Sequence, residues 1–487
     1  MASFKSSREY SVNSADFEKS SVVITEKEYN LKFLICISWT VTISSFVMGI
    51  YYLGYEIGVL NISELHIMHY YDWKGENKSR YITLANVLLC FGGTIGAYAS
   101  GRISNWLGRR KTLIRTNLLY YAAIGISIIP YDAFFFVGRA VIGICVGIFS
   151  VIPPIFISEV APKEIKGFLG TFIQIGISLG ILFTFLLSFI AERYLENYRL
   201  IVLLFTVPVS VTLLQMYLFY TKYDLDTPIW LLGSDRVTET EMILKKIYKP
   251  WSWQGRYSAM EPDKVIKDMK KSNPVLSLPG RPQNLITLSI ILSIIQQASG
   301  VNAIIFYSKE MLKKSQTFQT EAATFTVIIG ILNFIMVIPT MFLIEKIGRK
   351  KLLLQGLAGM CFSYALFGLL SSLWFESKNE KEMVLFAGLL SAIAFYETSL
   401  GPVFWVYITE ILTKMWVGPA ITVHWIMAMI VTGTFEILCN GDMNVDIVYY
   451  FSVCGLCCLI GFIFVYKLAI ESVCPYGLSH ITLSTPL

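Results

Sequence analysis

The chain reads as an all-α membrane protein of twelve transmembrane helices, arranged as two pseudo-symmetric six-helix bundles joined by a cytoplasmic helical linker. Three observations lead there: the scarcity of charge, the gathering of apolar residues into long runs, and a basic turn that recurs in each half. Of the 487 residues, 55% are hydrophobic and only 15% are charged. Soluble proteins run at about 45–50% and about 25%, so a soluble globule of this composition could not cover its own surface. The net charge of +6 is too modest for a nucleic-acid partner, and the partner of most of the surface is expected to be the lipid bilayer.

The first run, Leu31 to Leu60, holds only Lys32 and Glu56 as charged residues; Ile201 to Tyr220 and Met383 to Tyr396 hold none. A bilayer core takes roughly 20 apolar residues in a helix, and lipid obliges the backbone to satisfy its own hydrogen bonds. Segments of this kind start near residues 31, 80, 112, 133, 167 and 198, then near 283, 322, 352, 383, 418 and 446. Arg102, Arg109, Arg110, Lys111 and Arg115 follow the second segment; Lys346, Arg349, Lys350 and Lys351 follow the eighth. Residues 222–281 are basic as well. Alternating segments place all three on one side, which the positive-inside rule makes cytoplasmic. The expected organisation is a cytoplasmic tail (1–30), a first bundle (31–221), a linker (222–282), a second bundle (283–468) and a cytoplasmic tail (469–487). The polar residues 1–30 lack the apolar core of a signal peptide, so the first segment is expected to act as the insertion signal. A multi-pass plasma-membrane protein follows, with Asn77-Lys78-Ser79 as a candidate glycosylation site in an outer loop.

In the linker, Val237, Met242, Ile243 and Ile247 recur at helical spacing and predict an amphipathic helix over 235–248. Pro250, Pro262, Pro274, Pro279 and Pro282 punctuate the remainder. The nine cysteines include Cys454, Cys457 and Cys458 in the last segment. There they read as small apolar packing residues, with no disulfide framework and no metal site implied.

The halves echo one another. Gly101 to Lys111, with Gly108-Arg109-Arg110 at its centre, is matched by Glu345-Lys346-Ile347-Gly348-Arg349-Lys350-Lys351, and Ser158-Glu159 by Thr409-Glu410. Repeated six-helix halves with a binding site between them are a transporter architecture. Arg109, Arg110 and Glu159, with Glu345, Arg349 and Glu410, are therefore expected to form an inner charge lock that breaks as the halves rock.

The most specific stretch is Gln296-Gln297-Ala298-Ser299-Gly300-Val301-Asn302-Ala303-Ile304-Ile305-Phe306-Tyr307-Ser308. A carboxamide carries both donor and acceptor, which suits the hydroxyls of a sugar without burying a charge; packing between helices is the plainer use of such a pair. Adjacent on a helix, Gln296 and Gln297 diverge by about 100°, and Gly300 and Asn302 weaken the helix beyond them. This stretch resembles the seventh-segment signature of the sugar-porter family of the major facilitator superfamily, and the resemblance extends from about residue 50 to about 470. It implies a substrate site of Gln174, Gln296, Gln297, Asn302 and Asn333 with Glu397 and Trp405, and a gate of Phe306 and Tyr307. Gln174 comes from Gly170-Thr171-Phe172-Ile173-Gln174-Ile175-Gly176, Asn333 from Gly330-Ile331-Leu332-Asn333, and Trp405 from Gly401-Pro402-Val403-Phe404-Trp405. Glu56 and Arg139 resemble the acid–arginine pair of proton-coupled members; proton coupling and a structural ion pair both remain open there.

Some positions depart from the family pattern. Ile229 and Val417 stand where arginines are usual, so the second half's lock is expected to be weaker, with Arg349 or Lys350 left to pair with Glu410. Ala428 and Met429 replace an amide and a Trp that line the sugar cavity, which softens one wall and loosens selectivity. Glu436 has no family counterpart. The sequence thus points to a hexose carrier, glucose first, working by alternating access as facilitated diffusion or proton symport, with no cofactor and no enzymatic chemistry. The alternatives are a sugar receptor built on a transporter body and a porter for another polyol such as inositol.

Overall fold

The computed structural model describes residues 29–50, 78–127, 129, 131–194, 197–248, 282–314, 317, 321–373, 377–435, 438 and 447–472. Among them the helices are α1 (Leu31–Gly49), α2 (Lys78–Leu107), α3 (Arg109–Ser127), α4 (Asp132–Val160), α5 (Lys166–Gly170), α6 (Phe172–Tyr194) and α7 (Asn197–Thr221). Next come α8 (Pro228–Gly233) and α9 (Val237–Ile247), then α10 (Pro282–Ala298), α11 (Val301–Lys314), α12 (Ala322–Ile347), α13 (Arg349–Leu373), α14 (Lys378–Glu397), α15 (Leu400–Ile411), α16 (Lys414–Phe435) and α17 (Ile447–Leu468). With α5–α6, α10–α11 and α14–α15 each taken as one crossing, the helices make the twelve predicted passes. Ten of these are long and apolar enough to span a bilayer by that measure alone. The other two are α3, whose first turn carries Arg109, Arg110 and Lys111, and α7.

Within the first half α2 packs on α4 through interlocked glycines: a Cβ on Gly92 would strike the carbonyl of Ala140, and one on Gly143 that of Leu89. Lipid offers no hydrophobic drive for helices to associate, so such small residues let backbones approach closely enough for dispersion to do so. Between the halves, α2 lies against α16 and α6 against α12. These are the second and eleventh crossings and the fifth and eighth, the pairing that a repeated six-helix unit requires.

Two crossings break at mid-depth. Gly300 has φ +79°, a left-handed conformation that glycine adopts without cost, and it ends α10 before α11 begins. In the tenth crossing the break falls at Thr398–Ser399 (Ser399 φ −145°, ψ −89°), just ahead of Gly401-Pro402. Pro402 is the third residue of α15, where its missing N–H leaves no helical bond unmade. In the linker, α9 forms as predicted, but Met242 is exposed, and Thr240 and Leu244 join Ile243 and Ile247 on the buried face.

Candidate substrate site

The carboxamides are buried, and one of them bridges the two halves. Gln174, on α6, is buried, and its Nε2 donates to both oxygens of Glu397 at 3.1 and 3.2 Å. Its Oε1 accepts the indole N–H of Trp405 at 2.9 Å. Asn333 on α12 donates Nδ2 to the same Glu397 carboxylate at 2.7 Å. Four of the predicted site residues, from four helices and both halves, thus close into one network. Glu397 ends α14 and Trp405 lies within α15, so the break between these helices is what turns both side chains inward.

A second group stands beside it. Asn302 donates Nδ2 to Gln297 Oε1 at 2.9 Å, and the Gln297 amide nitrogen lies 2.9 Å from Nε2 of His424 on α16. The His424 ring stacks on Phe404 (5.5 Å, 28°) and lies 5.6 Å from the Trp405 ring, joining the two groups. Gln296 is also buried, but its Oε1 has no hydrogen-bond partner among the described residues, and the same holds for Asn333 Oδ1. Two such acceptors, within and beside these hydrogen-bonded groups, are chemistry that a polyhydroxyl ligand can complete. On the side of Trp405 toward the basic turns, a small cavity is lined by Pro154, Ile157, Ser158, Lys166 and Thr409.

His424 was not singled out from the sequence; it sits in an apolar run with none of the signature's neighbours to mark it. Trp425 was missed too. Ala428 is buried and Met429 half-buried in the wall where an indole is usual, and Trp425 supplies one a turn earlier. That indole instead donates to Ser150 Oγ at 3.0 Å and abuts Gly93, tying α16 to the first half.

At the basic end the two halves repeat the same pattern of arginine donors. Arg109 donates Nε and Nη2 to Glu159 Oε1 (3.1 and 2.8 Å) and Nη1 to the carbonyl of Ser104 and to Asn105 Oδ1. Arg349 donates Nε and Nη2 to Glu410 (3.1 and 2.9 Å) and Nη1 to the carbonyl of Ile344 and to Glu345 Oε2. Gly108 (φ +89°) and Gly348 (φ +93°) make the turn before each arginine. A carboxylate caps each helix start: Asp226 accepts the backbone N–H of Arg109 and Arg110, and Glu471 that of Arg349 and Lys350. Burial is the largest influence on both caps and pushes each carboxyl above the usual carboxylate range. Glu471 belongs to no motif singled out in the sequence.

The lock departs from expectation in three ways. Both Arg–Glu pairs join helices of the same half, α3 to α4 and α13 to α15, so rocking of the halves does not by itself separate them. Arg110 is not part of it: its guanidinium donates to the Phe219 carbonyl at 2.6 Å and lies over Tyr220. Nor is the second half weak, since Arg349 holds both Glu345 and Glu410. Two other contacts cross between the halves. Glu345 Oε1 accepts the backbone N–H of Gly167 (2.6 Å) and Phe168 (3.2 Å), and Lys414 forms an ion pair with Glu159, which also accepts from Thr227 Oγ1. Lys414 stands one turn before Val417, and its partner is Glu159 of the first half and not Glu410.

Arg139 is buried and donates Nη2 to Asn86 Oδ1 at 3.3 Å. Glu56, Asn77 and Glu436 lie outside the described residues, as do the side chains of Phe306 and Tyr307, whose backbone belongs to α11.

This arrangement of helices is that of the major facilitator transporters. The solved structure of the proton:xylose symporter XylE bound to 6-bromo-6-deoxy-D-glucose superposes with a TM-score of 0.77 at 22% identity, covering 91% of this chain and 97% of that one. The glucose transporter GlcP of Staphylococcus epidermidis is 30% identical over 368 residues (74% of this chain, 77% of its own). The major myo-inositol transporter IolT of Bacillus subtilis is 28% identical over 403 (78% and 82%). Residues 41–476 match the family described as "Sugar (and other) transporter", and the chain belongs to that family. It is accordingly a multi-pass membrane transporter and not an enzyme.

Proposed function

We propose that the protein carries a hexose, glucose first, across the plasma membrane by alternating access between halves 31–221 and 283–468, with the basic turns and both termini cytoplasmic. The carrying observation is the network in which Gln174 of one half holds Glu397 and Trp405 of the other. A sugar entering there offers its hydroxyls in exchange for bonds these side chains already make, and can add partners for Gln296 Oε1 and Asn333 Oδ1. The uncharged amides and the indole face suit a neutral ring with many hydroxyls. Phe306 and Tyr307 would close over it from α11, and the Lys414–Glu159 and Glu345 contacts would hold the cytoplasmic end shut. Arg139, buried at the side of Asn86, supports a proton-coupling role with Glu56, in which protonation of the acid frees the arginine.

A polyol such as inositol is the second reading, favoured by the same amides and by the kinship with a myo-inositol transporter. Uptake of labelled glucose and myo-inositol in transport-null cells, with and without a protonophore, tests both. Glucose uptake that saturates and is displaced by other hexoses supports the hexose reading. Inositol uptake without glucose uptake replaces it, and insensitivity to the protonophore removes symport.

A further inference from the structure

We infer that His424 is a positioning residue of the sugar site: it holds the Gln297 carboxamide in one orientation and thereby sets which hydroxyl of the sugar the protein reads. The inference rests on the hexose reading of this site and adds to it a residue outside the family signature.

The geometry works from both ends of one amide. Asn302 Nδ2 donates to Gln297 Oε1 at 2.9 Å, which decides which end of the carboxamide is oxygen. The NH2 end therefore faces the imidazole, 2.9 Å from Nε2 and 3.3 Å from Nδ1. A ring nitrogen that meets an NH2 group must bring a lone pair, so the ring that makes this contact is the neutral one. The ring is itself pinned, stacked on Phe404 at 28° and set against Trp405. Among the described residues, the Oε1 of the neighbouring carboxamide, Gln296, is without a partner.

An apolar side chain in place of His424 would pack in the same space but leave the Gln297 NH2 buried with one partner fewer. Packing alone therefore does not account for a histidine here. A donor aimed before the ligand arrives avoids the cost of ordering it on binding. Held in this way, Gln297 discriminates between a sugar that carries a hydroxyl at the matching position and one that does not. A Gln left to rotate would bond whichever hydroxyl was near.

The test uses full-length protein in transport-null cells, with uptake normalised to surface abundance. His424→Phe keeps a ring to stack on Phe404 and Trp405 but removes both nitrogens; His424→Gln restores a polar partner. KM and maximal rate are measured for glucose and for each monodeoxyglucose. His424→Phe is expected to raise the glucose KM about five- to tenfold, the order expected for one lost buried hydrogen bond, with the maximal rate within about twofold. The deoxyglucose most disfavoured by the wild type should lose most of that disadvantage, and His424→Gln should restore it. An unchanged KM, or an equal rise for glucose and every deoxy derivative, overturns the inference. If His424→Phe fails to reach the surface, His424→Asn, too short to replace Nε2, must show the same selective change, and a uniform one overturns it. A wild type that carries none of these sugars overturns the hexose reading itself, a result distinct from normal glucose uptake with an indifferent His424.

Discussion

Replacing Lys414 by Met should open the basic end of the carrier. Lys414 reaches from α16 to Glu159 on α4, a charge-assisted contact that crosses between the halves there, as the Glu345–Gly167 contact also does. Two unit charges in contact attract by about 4 kcal/mol at an effective dielectric of 20, an upper bound for this pair. The Glu159 carboxylate is fully buried, but Lys414 remains 30% exposed, and Arg109 and Thr227 continue to hold the carboxylate after the lysine is gone. The loss should therefore be nearer about 1–2 kcal/mol than the 3–5 of a stripped buried charge. At tenfold per 1.4 kcal/mol, the ratio of closed to open basic ends should fall about five- to thirtyfold. Ser158, which lines the cavity between the halves at that end, provides the probe. In purified protein, Ser158→Cys should react with a maleimide about five- to thirtyfold faster when Lys414→Met is also present, after subtraction of labelling in the parent. Glu159→Gln should abolish most of the difference. Equal labelling rates with and without Lys414→Met would show that this ion pair holds nothing shut.

Gln174→Ala removes the amide that meets Glu397 twice and Trp405 once, and should raise the glucose KM by about tenfold or more in the uptake assay. Glu397→Gln should act in the same direction, because Gln174 and Asn333 both arrive as donors and half of a neutral amide cannot accept from them. Arg349→Lys loses the fork that spans Glu345 and Glu410 and should destabilise the protein by about 2–3 kcal/mol, read as a lower melting temperature in detergent. Gly300→Ala places a side chain at φ +79° with its Cβ 2.6 Å from Cys454 Sγ; it should cost about 1–2 kcal/mol, and Cys454→Ala should recover part of it.

Much of the fold was legible because a bilayer enforces a coarse code: a run of apolar residues long enough to cross must be a helix, and α1, α5, α12 and α17 begin within a residue or two of where such runs begin. The amide cluster was legible through its signature. Helix rotation was harder to read. Segments such as α16 are apolar on all sides, so nothing in the pattern of hydrophobicity says which face meets the other half. His424, Trp425 and Lys414 all owe their contacts to that rotation. Met242 failed for a related reason: a short amphipathic helix buries Thr240 as readily as a methionine when a hydroxyl can return its bond to the backbone, here to Arg236 O. Glu471 escaped because a cap is set by where the chain passes in space, which the order of residues does not reveal.

The division of labour at the basic end bears on how such a carrier moves at all. Two states that interconvert on a useful timescale must differ by only a few kcal/mol, and a lock of six charges broken in one stroke would exceed that. Here each Arg–Glu pair stays within its own half, with its helix-start carboxylate, so those costs are the same in both states and cancel. What changes on opening is the short list that crosses: Lys414 to Glu159, and Glu345 to the N–H groups of Gly167 and Phe168. On this argument the intra-half pairs shape two rigid turns and the crossing contacts set the equilibrium between states. Arg349→Lys should therefore lower stability with little change in Ser158→Cys labelling, while Lys414→Met should raise the labelling with little change in melting temperature. The opposite pattern would assign the gating energy to the Arg–Glu pairs.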